Sequence, residues 1–336
     1  MPRFPRLVVP ALLALFCGTV TADNVDVAKL KKNFERPKSI PYLSDNAYSK
    51  DREALGKSLF FEPRLSGSGS MSCSTCHNPS LSWTDGLPKA VGNKHTVLGR
   101  RSPYILNLAW TEKMMWDGRL KTLEGQALGP LSSEAEMNGN LANVATVLKN
   151  MPGYAEMFKK AYPDQEVTPE LMGKAIGIYE RGLISGTAPF DKWIAGDEHA
   201  ISAKAKQGFV LFNTKANCAA CHSGWRFTDD SFQDIGLKSD DIGRGKFLHL
   251  KTQQHAFKTP GLRNISERAN YMHDGSEHEL GQVIDFYNRG GDVKRDSLSA
   301  SIKPLGLSAE EKTQLLTFLQ TLTSKDAAVS LPLLPR

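Results

Sequence analysis

Past its first two dozen residues the chain has no apolar run long enough to cross a bilayer, which takes roughly 20 residues. It has no basic run and no interleaving of basic with aromatic side chains, which excludes a nucleic-acid surface of the usual kind. Long alternating apolar and polar stretches are missing too, which argues against a fold built on sheets. Charge of one sign is in short supply: 42 Lys and Arg stand against 36 Asp and Glu, a formal +6 spread along the chain. Cysteine is scarce, with five in 336 residues, at positions 17, 73, 76, 218 and 221.

The N-terminus carries a different signal. Arg3 and Arg6 precede the apolar stretch Leu7 to Val20, and Val20-Thr21-Ala22 offers small residues for cleavage before Asp23. This is the pattern of a secretory leader over residues 1–22. The apolar stretch is short for a membrane anchor, and bulky Phe16 disfavours a lipoprotein cut at Cys17. The mature protein is expected in the periplasm, without a membrane span. Losing Arg3 and Arg6 lowers its formal charge from +6 to +4. The length suits two domains, and a boundary is expected near Gly196-Asp197-Glu198, giving 23–196 and 197–336.

The rest has helical texture. Leu141 to Leu148, Tyr154 to Ala161 and Leu171 to Leu183 repeat apolar residues at helical spacing. Thr168-Pro169 reads as an N-cap followed by proline in the first turn. Ser308 with Glu311 reads as a capping box ahead of Leu315 to Leu322. Gly56-Lys57-Ser58-Leu59-Phe60 and Gly208-Phe209-Val210-Leu211-Phe212 each precede a cysteine pair, which suggests duplication of one unit. The expected fold is mainly α, with two haem domains of the cytochrome c type and long loops at 66–99 and 229–259.

That expectation rests on the cysteines. Cys73-Ser74-Thr75-Cys76-His77 and Cys218-Ala219-Ala220-Cys221-His222 are both C-x-x-C-H motifs. Two thiols at this spacing can form thioethers to the two vinyl groups of one haem, and the adjacent imidazole can then ligate its iron. A redox dithiol has no need of the histidine, zinc takes four ligands, and a plain disulfide ignores it as well. Two such motifs, using every cysteine of the mature chain, point to two covalently bound haem c groups, with His77 and His222 on the irons.

Further stretches resemble the bacterial di-haem cytochrome c peroxidase family. They are Phe60-Phe61-Glu62-Pro63-Arg64-Leu65-Ser66, Trp83-Thr84-Asp85-Gly86-Leu87, Trp116-Asp117-Gly118-Arg119, Phe257-Lys258-Thr259-Pro260-Gly261-Leu262-Arg263-Asn264 and Tyr271-Met272-His273-Asp274-Gly275. The resemblance covers nearly all of the mature chain. It implies a peroxide site at the His77 haem, an electron-transfer site at the His222 haem, and Trp116 between them. It also implies distal roles for Gln126 and Glu136, the glutamate moving a proton between the peroxide oxygens. As side chains alone, both are also ordinary polar residues near a helix end.

Three departures refine this. Fourteen residues beyond His273, where better-known members of the family place a methionine ligand, stands Tyr287, as in the MauG-like branch. A phenolate is a hard anionic donor that favours oxidised iron, although a tyrosine on an amphipathic helix is also an ordinary core residue. His95, in the loop after the first motif, is a candidate distal ligand of the first iron, with a surface loop histidine as the leading alternative. Arg101, in Arg100-Arg101-Ser102-Pro103, occupies the position where the family often has a calcium-binding asparagine. Arginine cannot ligate a cation, so calcium is not expected there. Met114 and Met115 beside Trp116 suit packing or the capture of stray oxidising equivalents.

The resemblance thus implies a peroxide-dependent oxidoreductase that reaches a high-valent di-haem state and oxidises a tryptophan or tyrosine of a periplasmic partner protein. One alternative is a peroxidase that draws electrons from a small cytochrome or copper protein. The other is a non-catalytic electron-transfer cytochrome.

Overall fold

A computed structural model describes residues 26–336, so the leader at 1–22 lies outside the described residues. The chain is mainly helical, as expected. Among the described residues the one sheet is a short antiparallel pair, Phe232–Gln233 with Phe257–Lys258. No helix among them is long and apolar enough to cross a membrane.

The helix signals act locally as expected. Thr168 accepts from the Leu171 amide at the start of the Pro169–Arg181 helix. Ser308 and Glu311 cap each other's backbone at the start of Ala309–Gln320. Each cap satisfies amides that have no partner within the helix.

Apolar side chains gather into two cores. The first is built on Leu55, Leu59 and Phe60 of the Lys50–Phe60 helix, packed against Met172, Ile176 and Tyr179 of Pro169–Arg181. The second joins Phe209 and Phe212 of Ala203–Asn213 to Leu315 and Phe318 of Ala309–Gln320. Phe190 and Phe227 complete it with edge-to-face ring contacts. The tails cross over. Phe34 is buried in the second core, while Val329 and Leu334 pack on the first. Division into folding units at residue 196 is a proposal, and these cores give it a physical basis while drawing Phe34, Phe190 and Trp193 into the second.

The echo between Gly56 and Gly208 has a steric cause. A Cβ on Gly56 would collide with the Ala175 carbonyl, and one on Gly208 with the Gln314 carbonyl. Each glycine lets the helix that leads into a cysteine motif lie directly on the helix crossing it. Alanine at either position is expected to destabilise the protein by about 1–3 kcal/mol through overpacking, seen as a lower Tm at unchanged haem content. A Tm equal to the parent's would remove the close crossing as the reason for the repeat.

A buried acid lies in the first core. Glu124 and Arg181 pair through two hydrogen bonds of 2.9 and 3.0 Å. The neighbouring Glu180 is buried with one carboxylate oxygen unpartnered. Burial, then the Glu124 charge, pushes its carboxyl up to about 8. A raised carboxyl means the folded state keeps a proton that the unfolded chain releases, so this residue costs stability as pH climbs from the ordinary carboxylate range to about 8. Glu180→Gln should therefore gain Tm over the parent progressively across that window and hold a constant advantage above it. A pH-independent difference would mean that Glu180 is ionised in the fold throughout.

Candidate functional site

Both cysteine pairs sit on short helical turns, Cys73–Cys76 and Cys218–Ala220, each following one of the glycine-crossed helices. The four thiols are unpaired, and Cys73 and Cys218 pack against the first and second core respectively. Burial raises every one of these thiols, Cys76 to about 11 and Cys218 to about 12. Thiols held neutral are poor redox nucleophiles and poor zinc ligands. Among the described residues no cluster of three His, Cys, Asp or Glu side chains is arranged to hold a metal ion. The donor set fits two porphyrin-anchoring motifs and not a shared metal or a dithiol switch.

The two histidines are oriented alike. His77 Nδ1 lies 3.4 Å from the Trp83 carbonyl, and His222 Nδ1 lies 2.9 Å from the Phe227 carbonyl. Trp83 and Phe227 both adopt left-handed backbone, with φ of 60° and 58°. That conformation is uncommon for bulky residues, and here it turns a carbonyl back towards the ring. An imidazole whose Nδ1–H is engaged presents Nε2 as the free acceptor, the tautomer a metal needs. Burial also lowers the pKa of both rings, keeping them neutral.

One long cavity touches His77, Gln126 and Trp116 on one side and His222, Cys218, Cys221 and Tyr287 on the other. Tyr287 comes from the Leu280–Arg289 helix, and burial, followed by the nearby Cys218 and Cys221, raises its phenol. Trp116 donates from Nε1 to the Arg101 carbonyl at 3.1 Å. Its ring lies 6.5 Å from that of His273, which stacks on Phe257 at 3.6 Å. Gln126 donates to the Met115 sulfur at 3.7 Å, and Met114 is buried.

Two predicted residues stand apart. Glu136 is half-buried outside the cavity, near enough to Cys76 for its charge to raise that thiol. His95 is exposed on the Asn93–His95 turn, also outside the cavity. Cys73 and Cys76 do not line the cavity, although the adjoining His77 does.

The duplication runs further than the helix echo. Pro103 to Asn107 answers Pro260 to Asn264. Both asparagines are left-handed, their amides donate to the Leu183 and Leu322 carbonyls, and their side chains hold Ser185 and Ser324. Met115-Trp116-Asp117-Gly118 answers Met272-His273-Asp274-Gly275, and each loop leads into a ten-residue helix, Leu123–Ser132 or Leu280–Arg289. In this register Trp116 corresponds to His273, and Tyr287 corresponds to Pro130. Proline carries no donor atom, so one half offers a phenol where the other offers none. The shared spacing from the Asp-Gly turn to the helix is the signal in the sequence.

The sequence profile of the di-haem cytochrome c peroxidase family matches residues 50–199. The methylamine utilization protein MauG of Methylorubrum extorquens is 50% identical over 322 residues, covering 95% of this chain and 91% of that protein. The protein of the same name from Methylophilus methylotrophus is 44% identical, covering 91% of this chain and 92% of its own length. Among solved structures, a MauG-like protein associated with microbial copper homeostasis matches with a TM-score of 0.80 at 29% identity, over 87% of this chain and 96% of that one.

Replacing Cys218 and Cys221 together by alanine should lower covalently held haem from two to one per chain. Mass spectrometry and pyridine haemochrome spectra check this, and a stoichiometry that stayed at two would remove the thioether role.

Proposed function

The chain belongs to the di-haem cytochrome c peroxidase family, and from that premise we propose that it is a peroxide-dependent oxidase of the MauG type, acting on a partner protein in the periplasm. It is a peroxidase-type oxidoreductase. Cys73, Cys76, Cys218 and Cys221 would hold two haems, which would supply peroxide reduction and a place for the oxidising equivalents. Each residue of the chain then has a task. His77 and His222, fixed by the carbonyls behind them, would hold the irons. Tyr287 would add a phenol to the second site, while Pro130 gives the first no donor atom at the corresponding place. The asymmetry between Tyr287 and Pro130 on duplicated helices is the observation that carries this reading.

At the His77 end of the cavity Gln126 would position the peroxide by hydrogen bonding. Glu136 shifts a proton from its near to its far oxygen, a task that requires its half-buried carboxylate to swing from beside Cys76. Trp116, in the cavity between the two histidines, offers an indole for charge to pass from one site to the other. A hard, anionic phenolate at the second site favours oxidised iron and disfavours uptake of electrons from an ordinary high-potential donor. This favours oxidation of a tryptophan or tyrosine in a partner protein over steady peroxide removal. His95, exposed and outside the cavity, is given no ligand role, and no calcium is assigned.

The test is addition of hydrogen peroxide to the diferric protein with no donor present. A long-lived oxidised spectrum is expected, discharged by a protein bearing an accessible tryptophan or tyrosine, with added oxygen or a crosslink in its mass spectrum. In Tyr287→Met the oxidised form should decay faster and reduced small cytochromes should become better donors. Rapid steady turnover of the parent with a reduced small cytochrome, and no persistent oxidised form, would favour the detoxifying peroxidase instead.

A further inference from the structure

Four buried or partly buried guanidiniums line the cavity, and they divide into two kinds. Arg226 is paired with Asp230, and Arg295 with Asp234. Arg101 and Arg268 have no carboxylate partner, although they are only 7% and 4% exposed. The two touch: Arg101 Nη2 donates to the Arg268 carbonyl at 3.4 Å, and Arg101 Nε has no partner. Arg268 spends its hydrogen bonds on the Gly261 and Asn264 carbonyls, and its guanidinium lies 3.8 Å above the Tyr104 ring. Asp85, the acid whose charge Arg101 feels, accepts from the Ser102 hydroxyl at 2.8 Å and forms no ion pair with either arginine.

Burying a cation without a counter-charge costs several kcal/mol, and two adjoining cations repel. Burial, then the neighbouring Arg268, drives the Arg101 guanidinium down to about 10. An anion entering the cavity would offset both costs. Guanidinium is a planar fork that matches a carboxylate and keeps its charge when buried. The duplication adds a third cation: Lys258 holds the position in the second half that Arg101 holds in the first, and its Nζ also finds a carbonyl, of Lys113, and no acid.

We propose that Arg101 and Arg268 form a carboxylate clamp for the propionates of the porphyrins at the junction of the two halves, providing as built-in guanidiniums the positive charge that a bound divalent cation would otherwise supply. This rests on the di-haem reading, and haem content is therefore measured first. The clamp needs no metal ion. It places a fixed positive charge next to Trp116, whose indole hydrogen is held by the Arg101 carbonyl, and so raises the reduction potential of the porphyrin it holds.

The experiment compares the holoprotein with Arg101→Gln, Arg268→Gln and Arg101→Lys. Two haems per chain and no stoichiometric calcium are expected in the parent. Each Gln variant should keep both haems, lower the reduction midpoint of one of them, and shift the propionate bending bands in resonance Raman spectra. Arg101→Lys, which keeps the charge but not the fork, should hold the midpoint near the parent's and still shift the bands. It also serves if a Gln variant fails to fold. Unchanged midpoints and bands in Gln variants that carry two haems would overturn the clamp alone, as would one tightly bound calcium whose chelation reproduces the shifts. A parent without haem would overturn the site reading together with the clamp.

Discussion

The arrangement depends on two backbone hydrogen bonds that cross between the halves in opposite senses. The Arg101 amide donates to the His273 carbonyl at 2.9 Å, and the Lys258 amide donates to the Trp116 carbonyl at 2.7 Å. Each joins the segment ahead of one half's proline to the Asp-Gly loop of the other. Backbone amides lose most when left unpaired in a buried place, so this exchange fixes the register of one half on the other. The indole of Trp116 and the imidazole of His273 are thereby held side by side, 6.5 Å apart, in the wall of the cavity. Arg100 reinforces the crossing with ion pairs to Asp117 on one half and Asp241 on the other.

One scaffold used twice produces two different sites through few changes. Both halves share the glycine crossing, the cysteine turn, the left-handed residue behind the histidine and the clamped asparagine. They diverge where chemistry is decided: tryptophan against histidine in the loop, and proline against tyrosine on the following helix. Pro130 also lacks an amide hydrogen, so it weakens helix Leu123–Ser132 near its end. The Pro130 carbonyl instead accepts from the Met137 amide at 3.1 Å. The segment that carries Glu136 is thus anchored by the same residue that stands where the other half has Tyr287.

The parts most legible in the sequence were those set by local chemistry. Caps at Thr168 and Ser308, helical periodicity and the two C-x-x-C-H motifs depend on neighbours within a few residues, and each has its structural counterpart. His77 and His222 follow from the motifs and Gln126, Trp116 and Tyr287 from the resemblance, and the fold gathers all five around one space. The full extent of the duplication is hard to read from sequence because its matches are short and the loops leading from the cysteine turns to Pro103 and Pro260 differ in length. The position of Glu136 beside Cys76 was out of reach because loop backbone, here the Asn93 amide on the Glu136 carbonyl, sets it. Nor does composition reveal that Arg101 and Arg268 lack acids while Arg226 and Arg295 have them: Asp230 is one turn from Arg226, but Asp234 reaches Arg295 across 61 residues, and no acid reaches Arg101 or Arg268.

Strain indicates which shared features belong to the site rather than to the fold. Left-handed backbone at a bulky residue costs on the order of 1–3 kcal/mol and persists only where surroundings enforce it. Trp83 and Phe227 meet that cost at matching places, and both are buried by aromatic neighbours, Phe60 and Tyr179 around the first, Phe34 and Phe190 around the second. An ordinary turn would relieve the strain and aim the carbonyl elsewhere. What it would lose is the acceptor behind each imidazole, and with it the tautomer that leaves Nε2 free. A cost carried twice, in cores otherwise composed of different residues, is best explained by the one thing both turns do, which is to set a carbonyl behind a histidine ring.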